Sequence, residues 1–197
     1  MALPNYTNLF VTCFRSGKLS KKLVQTWVQV IFKEVVDHLN SESCVLYVDS
    51  WSGHKDSALY TLGDKHVVLK VFPESSTNIL QLLDLYCFRQ WKDFTKRLTE
   101  DCMVPGIRVD SRNDVLKLQS LIYNQFQHEE FRPMWMCGWR LGGFEVPPVP
   151  FQSLAEMLFA VDEGCSTDGC YVVPFIRCIY CKHVLCVMCL FVNYYFH

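Results

Sequence analysis

The sequence predicts an α/β fold, and three observations lead to this prediction. Half of the 197 residues are hydrophobic, which is enough to bury a core in a domain of ordinary size. Helical and β-type hydrophobic patterns then follow one another in the order helix, strand, short connection, strand, helix. Strands joined by such connections typically belong to an α/β layer.

The first predicted element is an amphipathic helix that begins after Ser20. Serine is a preferred residue at the N-cap of a helix, where its hydroxyl accepts a backbone hydrogen bond. Two adjacent stripes form a broad apolar face: Leu19, Leu23, Trp27, Ile31, Val35 and Leu39 at steps of four, with Val24, Val28, Phe32 and Val36 beside them. A face of this width predicts a helix that packs against a core.

Two strands and a second helix follow. Residues 43–49 (SCVLYVD) and 65–73 (KHVVLKVFP) are rich in β-branched and aromatic residues, and Pro73 ends the second run. Thr77 can cap a helix that continues through the sequence NILQLLDLYCFRQWKDFTKRL. Two further helices are predicted, in SRNDVLKLQSLIYNQFQ and in PMWMCGWRLGGF, the latter ended by glycine.

The composition changes near the C-terminus. Residues 146–150 (VPPVP) interrupt regular structure, and six of the eleven cysteines lie in residues 165–197. We therefore predict a main domain in residues 1–145, a linker or helix in residues 146–164, and a small Cys-rich tail in residues 165–197.

Charge and hydropathy argue against a highly basic, a secreted or a membrane-spanning protein. The formal net charge is −1, so basic groups that contact nucleic acid would have to be local. The start of the sequence lacks a signal-peptide pattern, and the late apolar run VLCVMCLFVNYYF is shorter than the roughly 20 residues that span a bilayer. We expect a soluble nuclear or cytoplasmic protein that is not secreted, in which cysteines serve as metal ligands or free thiols.

Two acids stand at positions where a carboxylate costs free energy. Asp49 ends the first apolar strand, and Asp84 lies on a helical stripe with Leu80, Phe88 and Trp91. A carboxylate in such surroundings needs a partner or a metal ion. The connecting segment is long enough to bring the strand end beside the start of the helix. We therefore expect Asp49 and Asp84 to share a divalent cation.

These acids lie in two motifs that resemble those of the DDE-superfamily transposases, on the mariner, pogo and Tigger branch. The second-acid motif is matched by Asp49, Ser50 and His54, and the third-acid motif by Pro73, Thr77, Gln81 and Asp84. Thirty-four residues separate the two acids, as in the mariner branch. Leu82 stands where many relatives have proline, so the third-acid helix is expected to run straight.

The resemblance implies a ribonuclease-H-like fold and metal-dependent chemistry on DNA. Three carboxylates would hold two Mg²⁺ or Mn²⁺ ions for endonuclease and strand-transfer reactions. The partner would be the DNA of transposon ends, and the resemblance leaves a homo-oligomer open. Only Glu34, Asp37 and Glu42 precede Asp49, and none of them ends a β-type run. We therefore expect a partial ribonuclease-H-like fold that lacks the first catalytic acid.

Other groups on the same segments are candidates for DNA contacts. His54 can position an acid, contact a phosphate, or bind the backbone of its own turn. Arg89, Lys92 and Lys96 form a basic edge on the third-acid helix, which predicts phosphate contacts or a solvated face.

The Cys-rich tail predicts a zinc site, with reduced thiols in an apolar tail as the alternative. Its candidate ligands are Cys165, Cys170, Cys178, Cys181, Cys186, Cys189 and His197. Only four residues separate the two C-x-x-C pairs, so one ion is expected to use either both pairs or Cys165 and Cys170 with Cys178 and Cys181. The second grouping leaves Cys186, Cys189 and His197 for an incomplete site. The tail raises a second functional hypothesis, a non-catalytic, zinc-stabilised interaction module.

Overall fold

The structure is a computed structural model that describes residues 6–12, 17–76, 86–150, 153, 155–159, 161 and 163–197. The chain divides into two compact units. We call Thr12–Gln81 the strand unit, and Met1–Val11 together with Leu82–His197 the cysteine unit. Helices and small sheets occur in both units, which confirms the predicted α/β class.

The strand unit begins with a helix that contains a π-helical turn. Helix α1 spans Lys21–Trp27, the π-helical turn spans Val28–Phe32, and helix α2 spans Lys33–Asp37. The predicted cap is confirmed, because the Leu23 amide donates to Ser20 Oγ at 3.3 Å.

Only one of the two predicted apolar stripes of this helix is buried among the described residues. Val24, Val28 and Val36 are buried, whereas Trp27 and Val35 of the neighbouring stripe are exposed. The two stripes are offset by one residue and therefore lie about 100° apart around the helix axis, so a core that covers Val24 and Val28 leaves Trp27 and Val35 in solvent.

A parallel pair of strands completes the strand unit. Strand β1 (Ser43–Val48) pairs with strand β2 (His66–Val71), in the register Ser43↔His66 to Val48↔Val71. Because side chains alternate along a strand, Leu46 and Leu69 pack against the helix while Val45, on the opposite face, is 52% exposed.

Three helices form the first part of the cysteine unit. They are α3 (Phe88–Met103), α4 (Arg112–Phe126) and α5 (Arg132–Leu141). Ser111 and Asp114 form a capping box at the start of α4, and Gly142 ends α5 as predicted.

The Cys-rich tail packs into the same core as these helices. Strands β3 (Ile176–Arg177) and β4 (Val184–Leu185) form an antiparallel hairpin, which a π-helical turn over Met188–Val192 follows. A single hydrophobic cluster joins helix and tail residues, including Leu98, Leu118, Phe126, Ile176, Leu185 and Phe191. The predicted boundaries after residues 145 and 164 therefore lie within one compact unit.

Within the described part of the chain, no helix combines the length and the hydropathy needed to cross a membrane.

Candidate active site and metal clusters

Asp49 lies at the carboxyl end of β1, where a turn folds back onto it. The Trp51 amide donates to Asp49 Oδ1 at 3.1 Å, and His54 Nδ1 lies 2.7 Å from the same oxygen. A carboxylate can only accept, so Nδ1 carries the hydrogen of this contact. Both contacts fall on Oδ1 and the Asp49 side chain is 37% exposed, which leaves its second oxygen accessible to a cation.

The turn that carries His54 is held in place by an aromatic side chain. The Trp51 ring contacts the His54 ring edge-on, with centroids 4.9 Å apart. The same indole lies over Gly53, where an added Cβ would stand 2.1 Å from the ring. A side chain at position 53 would therefore displace the Trp51 ring from its contact with His54.

Tyr60 is a buried neighbour of this site. Its side chain is 3% exposed, and its hydroxyl has no hydrogen-bond partner among the described residues. Burial raises the pKa of Tyr60, and the negative charges of Asp49 and Asp56 raise it further. The phenol therefore stays protonated beside the carboxylate.

Tyr60→Phe is expected to stabilise the strand unit. A buried hydroxyl without a partner costs about 1–3 kcal/mol, and phenylalanine fills the same space without that cost. Urea unfolding should show a higher free energy of unfolding for the variant. The exposed Tyr171→Phe provides the control, with no expected change. A destabilised Tyr60→Phe would show that the hydroxyl has a partner in solution.

Four thiols of the tail converge on one point. The Sγ atoms of Cys165, Cys170, Cys186 and Cys189 all lie within 4.8 Å of one another. Cys170 Sγ lies 3.7 Å from the Sγ atoms of both Cys186 and Cys189. Sulfurs that each lie about 2.3 Å from a tetrahedral zinc ion are roughly 3.8 Å apart, so the two separations from Cys170 match those of a zinc site. We call it the four-thiol cluster.

The thiols of this cluster have unequal acidities. Burial raises the pKa of Cys165, but hydrogen bonds from the backbone of Thr167 and Cys186 and from the Thr167 and Cys170 side chains together lower it to about 6. Burial and its hydrogen bonds to neighbouring thiols raise the pKa of Cys186 to about 12. The cluster therefore holds its first negative charge on Cys165.

A second cluster lies at the tip of the β3–β4 hairpin. Cys178, Cys181 and His197 place their ligand atoms within 4.8 Å of one another. The predicted groupings of the tail are therefore wrong: Cys165 and Cys170 join Cys186 and Cys189, not Cys178 and Cys181. The register of the hairpin, Ile176↔Leu185 and Arg177↔Val184, explains the difference. It places Cys178 and Cys181 in the turn between the strands, and Cys186 directly after β4, at the open end of the hairpin.

Family models match most of the chain. A model described as DDE superfamily endonuclease matches residues 2–124, which is more than half of the sequence. The chain belongs to the DDE superfamily of endonucleases. A second model, the Tc5 transposase C-terminal domain, matches residues 139–196 of this DDE protein and so includes all six cysteines of the two clusters. No curated protein and no solved structure is similar enough to count as a match.

The predicted partner of Asp49 lies outside the described residues of the DDE protein. Residues 77–85 are not described, so the predictions for Thr77, Gln81, Leu82 and Asp84 remain predictions. The carboxylates upstream of Asp49 do not occupy the position expected for the first catalytic acid, at the end of a strand. Glu34 and Asp37 are exposed on the helix, where Asp37 pairs with Lys33, and Glu42 is exposed before β1.

The predicted basic edge of the DDE protein lies on the solvent-facing side of α3. Arg89, Lys92 and Lys96 are exposed, opposite the buried Phe94 and Leu98. Lys96 Nζ lies 3.8 Å from Glu100 Oε1, and both side chains are well exposed. The edge is therefore accessible to the phosphates of a bound nucleic acid.

Three polar residues of α4 were missed by the sequence analysis. Ser120 and Asn124 are fully buried, and Gln125 is 2% exposed. They lie against the tail: Ser120 Oγ lies 2.7 Å from Tyr194 Oη, the Asn124 backbone carbonyl accepts from Tyr180 Oη at 3.0 Å, and Gln125 Oε1 accepts from the Ile179 amide at 2.8 Å. Polar residues on an amphipathic helix usually indicate its solvent side, so no sequence signal separated these from exposed ones.

Proposed function

We propose that this chain is a transposase-derived, nucleic-acid-binding DDE domain that keeps part of the family's divalent-metal site at Asp49 and Asp84. One observation carries the proposal: Asp49 ends a strand of a parallel pair, with one oxygen held by His54 and the other accessible. The carboxyl ends of parallel strands are where open α/β sheets bind their ligands. Oxygen ligands of this kind suit Mg²⁺ or Mn²⁺.

In this proposal each residue of the site has a limited task. Asp49 and Asp84 would hold the cation, which supplies activation of a water or hydroxyl and stabilisation of the leaving oxygen of a phosphodiester. His54 holds the Asp49 carboxylate in one orientation through the Nδ1–Oδ1 contact. Trp51 and Gly53 fix the turn that carries His54.

The residues present support DNA binding without strand cleavage by this polypeptide alone. Two-metal catalysis in the family uses three carboxylates, and the acids before Asp49 in this sequence lie on a helix or in a turn. We propose that Arg89, Lys92 and Lys96 contact the phosphates and that the partner is duplex DNA, bound in the nucleus. Self-association of the chain through its DNA complex is part of the same proposal.

Metal binding at Asp49 can be measured directly. Mn²⁺ binding to the full chain, followed by electron paramagnetic resonance, is expected to weaken at least 10-fold in Asp49→Asn and in Asp84→Asn. His54→Ala should weaken it by roughly 10–100-fold, since partners that orient a metal ligand have effects of that size. Asp64→Asn, in the turn before β2, is the control and should leave Mn²⁺ affinity unchanged. Equal affinity in all variants would contradict the metal site.

DNA binding is tested separately by fluorescence anisotropy with labelled duplex DNA over a range of salt concentrations. If Arg89, Lys92 and Lys96 contact phosphates, their combined replacement by glutamine should reduce the slope of log affinity against log salt by about 2.7. Incubation with Mg²⁺ or Mn²⁺ should leave the duplex intact. Cleavage that disappears in Asp49→Ala would show that the polypeptide is a complete enzyme.

The four-thiol cluster favours a second candidate function, that of a zinc-stabilised interaction module. Its four sulfurs lie within 4.8 Å of one another, two of their separations match those of a tetrahedral zinc site, and none of them lies in a catalytic arrangement with a described general base. The absence of DNA affinity in the anisotropy experiment, in a protein that carries zinc, would favour this module over the DNA-binding domain.

A further inference from the structure

We propose that Cys178, Cys181 and His197 form a second zinc site, completed by His183, whose ligands alternate along the chain with those of the four-thiol cluster. This proposal does not depend on DNA binding or on the Asp49 site. It rests on the geometry of the hairpin tip, on the contacts of Tyr195, and on the support that α4 gives to Cys178.

The turn between β3 and β4 presents its two thiols to one side. The Cys178 amide donates to the His183 carbonyl at 2.8 Å, and the Lys182 amide donates to the Cys178 carbonyl at 2.9 Å. Lys182 has a φ of 63°, a left-handed conformation that is uncommon for lysine. This tight turn brings Cys178 and Cys181 within reach of the same ion, as a C-x-x-C pair requires.

The hydroxyl of Tyr195 lies among the ligand atoms. Tyr195 Oη is 3.1 Å from Cys181 Sγ, 3.4 Å from His197 Nε2 and 3.2 Å from His183 Nδ1. Zinc binds sulfur at about 2.3 Å and imidazole nitrogen at about 2.0 Å, so an ion would draw these atoms closer and displace the hydroxyl. His183 is exposed and its Nδ1 contacts the same hydroxyl, so its imidazole is the neighbouring group that we assign to the fourth position.

Neighbouring side chains orient two of the proposed ligands. Gln125 Nε2 donates to Cys178 Sγ at 3.7 Å, and Gln125 Oε1 accepts from the Ile179 amide at 2.8 Å. The Tyr180 ring stacks on the His197 imidazole, with centroids 5.7 Å apart and planes inclined by 14°. Such outer contacts are typical of metal sites, where they fix the direction of the ligand atoms.

The two clusters use alternate ligand pairs. In chain order, Cys165 and Cys170 belong to the four-thiol cluster, Cys178 and Cys181 to the hairpin tip, Cys186 and Cys189 to the four-thiol cluster, and His197 to the hairpin tip. Each ion would therefore close a loop that contains ligands of the other. Thiolate and imidazole ligands in a tetrahedral set favour zinc over the magnesium expected at Asp49.

Metal analysis of the full chain tests this proposal. Protein purified in the presence of zinc should contain two zinc ions per chain, and Cys178→Ser and His197→Ala should each contain one. Cys137→Ser and His66→Ala, which change residues outside both clusters, should retain two. His183→Ala should release one of its two ions at least 10-fold more readily to a competing chelator.

Cobalt substitution identifies which site is lost, even if a variant is less stable. Sulfur-to-cobalt charge-transfer absorption should fall by about a third in Cys178→Ser plus Cys181→Ser, because two of six thiolates are removed. The remaining spectrum should be that of a four-thiolate site. One zinc ion in the unmodified chain, retained in both Cys178→Ser and His197→Ala, would overturn the proposal, and it would do so whether or not the chain binds DNA.

Discussion

Cys186→Ser is expected to abolish the zinc binding that we propose for the four-thiol cluster and to unfold the hairpin beside it. Cys186 is completely buried at the end of β4, and its Sγ lies 3.7 Å from Cys170 Sγ. The serine hydroxyl is a weaker zinc ligand than a thiolate, and its shorter side chain leaves a polar group in an apolar core. Structural zinc contributes directly to folding free energy, so we expect a loss on the order of 5 kcal/mol and a midpoint lower by roughly 15 °C.

Thermal melting followed by circular dichroism, with and without a chelator, measures this effect. The chelator should lower the midpoint of the unmodified protein but change Cys186→Ser very little, because the ion is already absent. Cys137→Ser provides the matched control, since Cys137 is a half-buried thiol of α5 outside both clusters. An unmodified protein whose midpoint and zinc content resist the chelator would contradict the structural role of the cluster.

Gln125→Leu is expected to destabilise the cysteine unit by about 2–4 kcal/mol. The substitution leaves the buried Ile179 amide without its acceptor and removes the N–H donor to Cys178 Sγ. A buried amide that loses its partner costs about 1–3 kcal/mol, and the lost contact to sulfur adds to this. The similar volume of leucine keeps cavity formation from dominating the result.

Urea unfolding of Gln125→Leu and Gln127→Leu separates this effect from a change of helix propensity. Gln127 is exposed at the end of α4 and makes one long hydrogen bond, 3.4 Å to Asn124 Oδ1, so its substitution should lower the free energy of unfolding by no more than about 1 kcal/mol. Similar stabilities of the two variants would show that Gln125 does not support the hairpin. Hydrogen exchange at the Ile179 amide should be faster in Gln125→Leu alone.

Local signals in the sequence predicted the Ser20 cap, the strands and the turn at Asp49. Ser20 acts on an amide three positions away, and the predicted run before Asp49 forms strand β1. The contact between His54 and Asp49 also depends on local structure, because the two residues are five positions apart and belong to the same turn. Each of these features is determined by residues close together in the chain, so one sequence is enough to predict it.

The cysteine grouping and the buried face of α4 could not be predicted in the same way. Which thiols meet depends on how the β3–β4 hairpin folds back, and the spacing of the cysteines allows several answers. Asn124 and Gln125 are buried where the tail packs over α4: the Ile179 amide donates to the Gln125 side chain, and the Tyr180 hydroxyl donates to the Asn124 backbone carbonyl. Such long-range pairing leaves no periodic pattern in either segment.

The shared core of helices and tail has a practical consequence for dissecting this protein. Leu118 and Phe126 of α4 are covered in part by Leu185 and Phe191, which lie more than fifty positions further along the chain. A shortened protein that ended before residue 165 would expose the Leu118 and Phe126 side chains to water, and the resulting apolar surface would promote aggregation. The C-terminal tail is thus part of the core of the cysteine unit, and an experiment on the helices or the tail alone would not describe the intact protein.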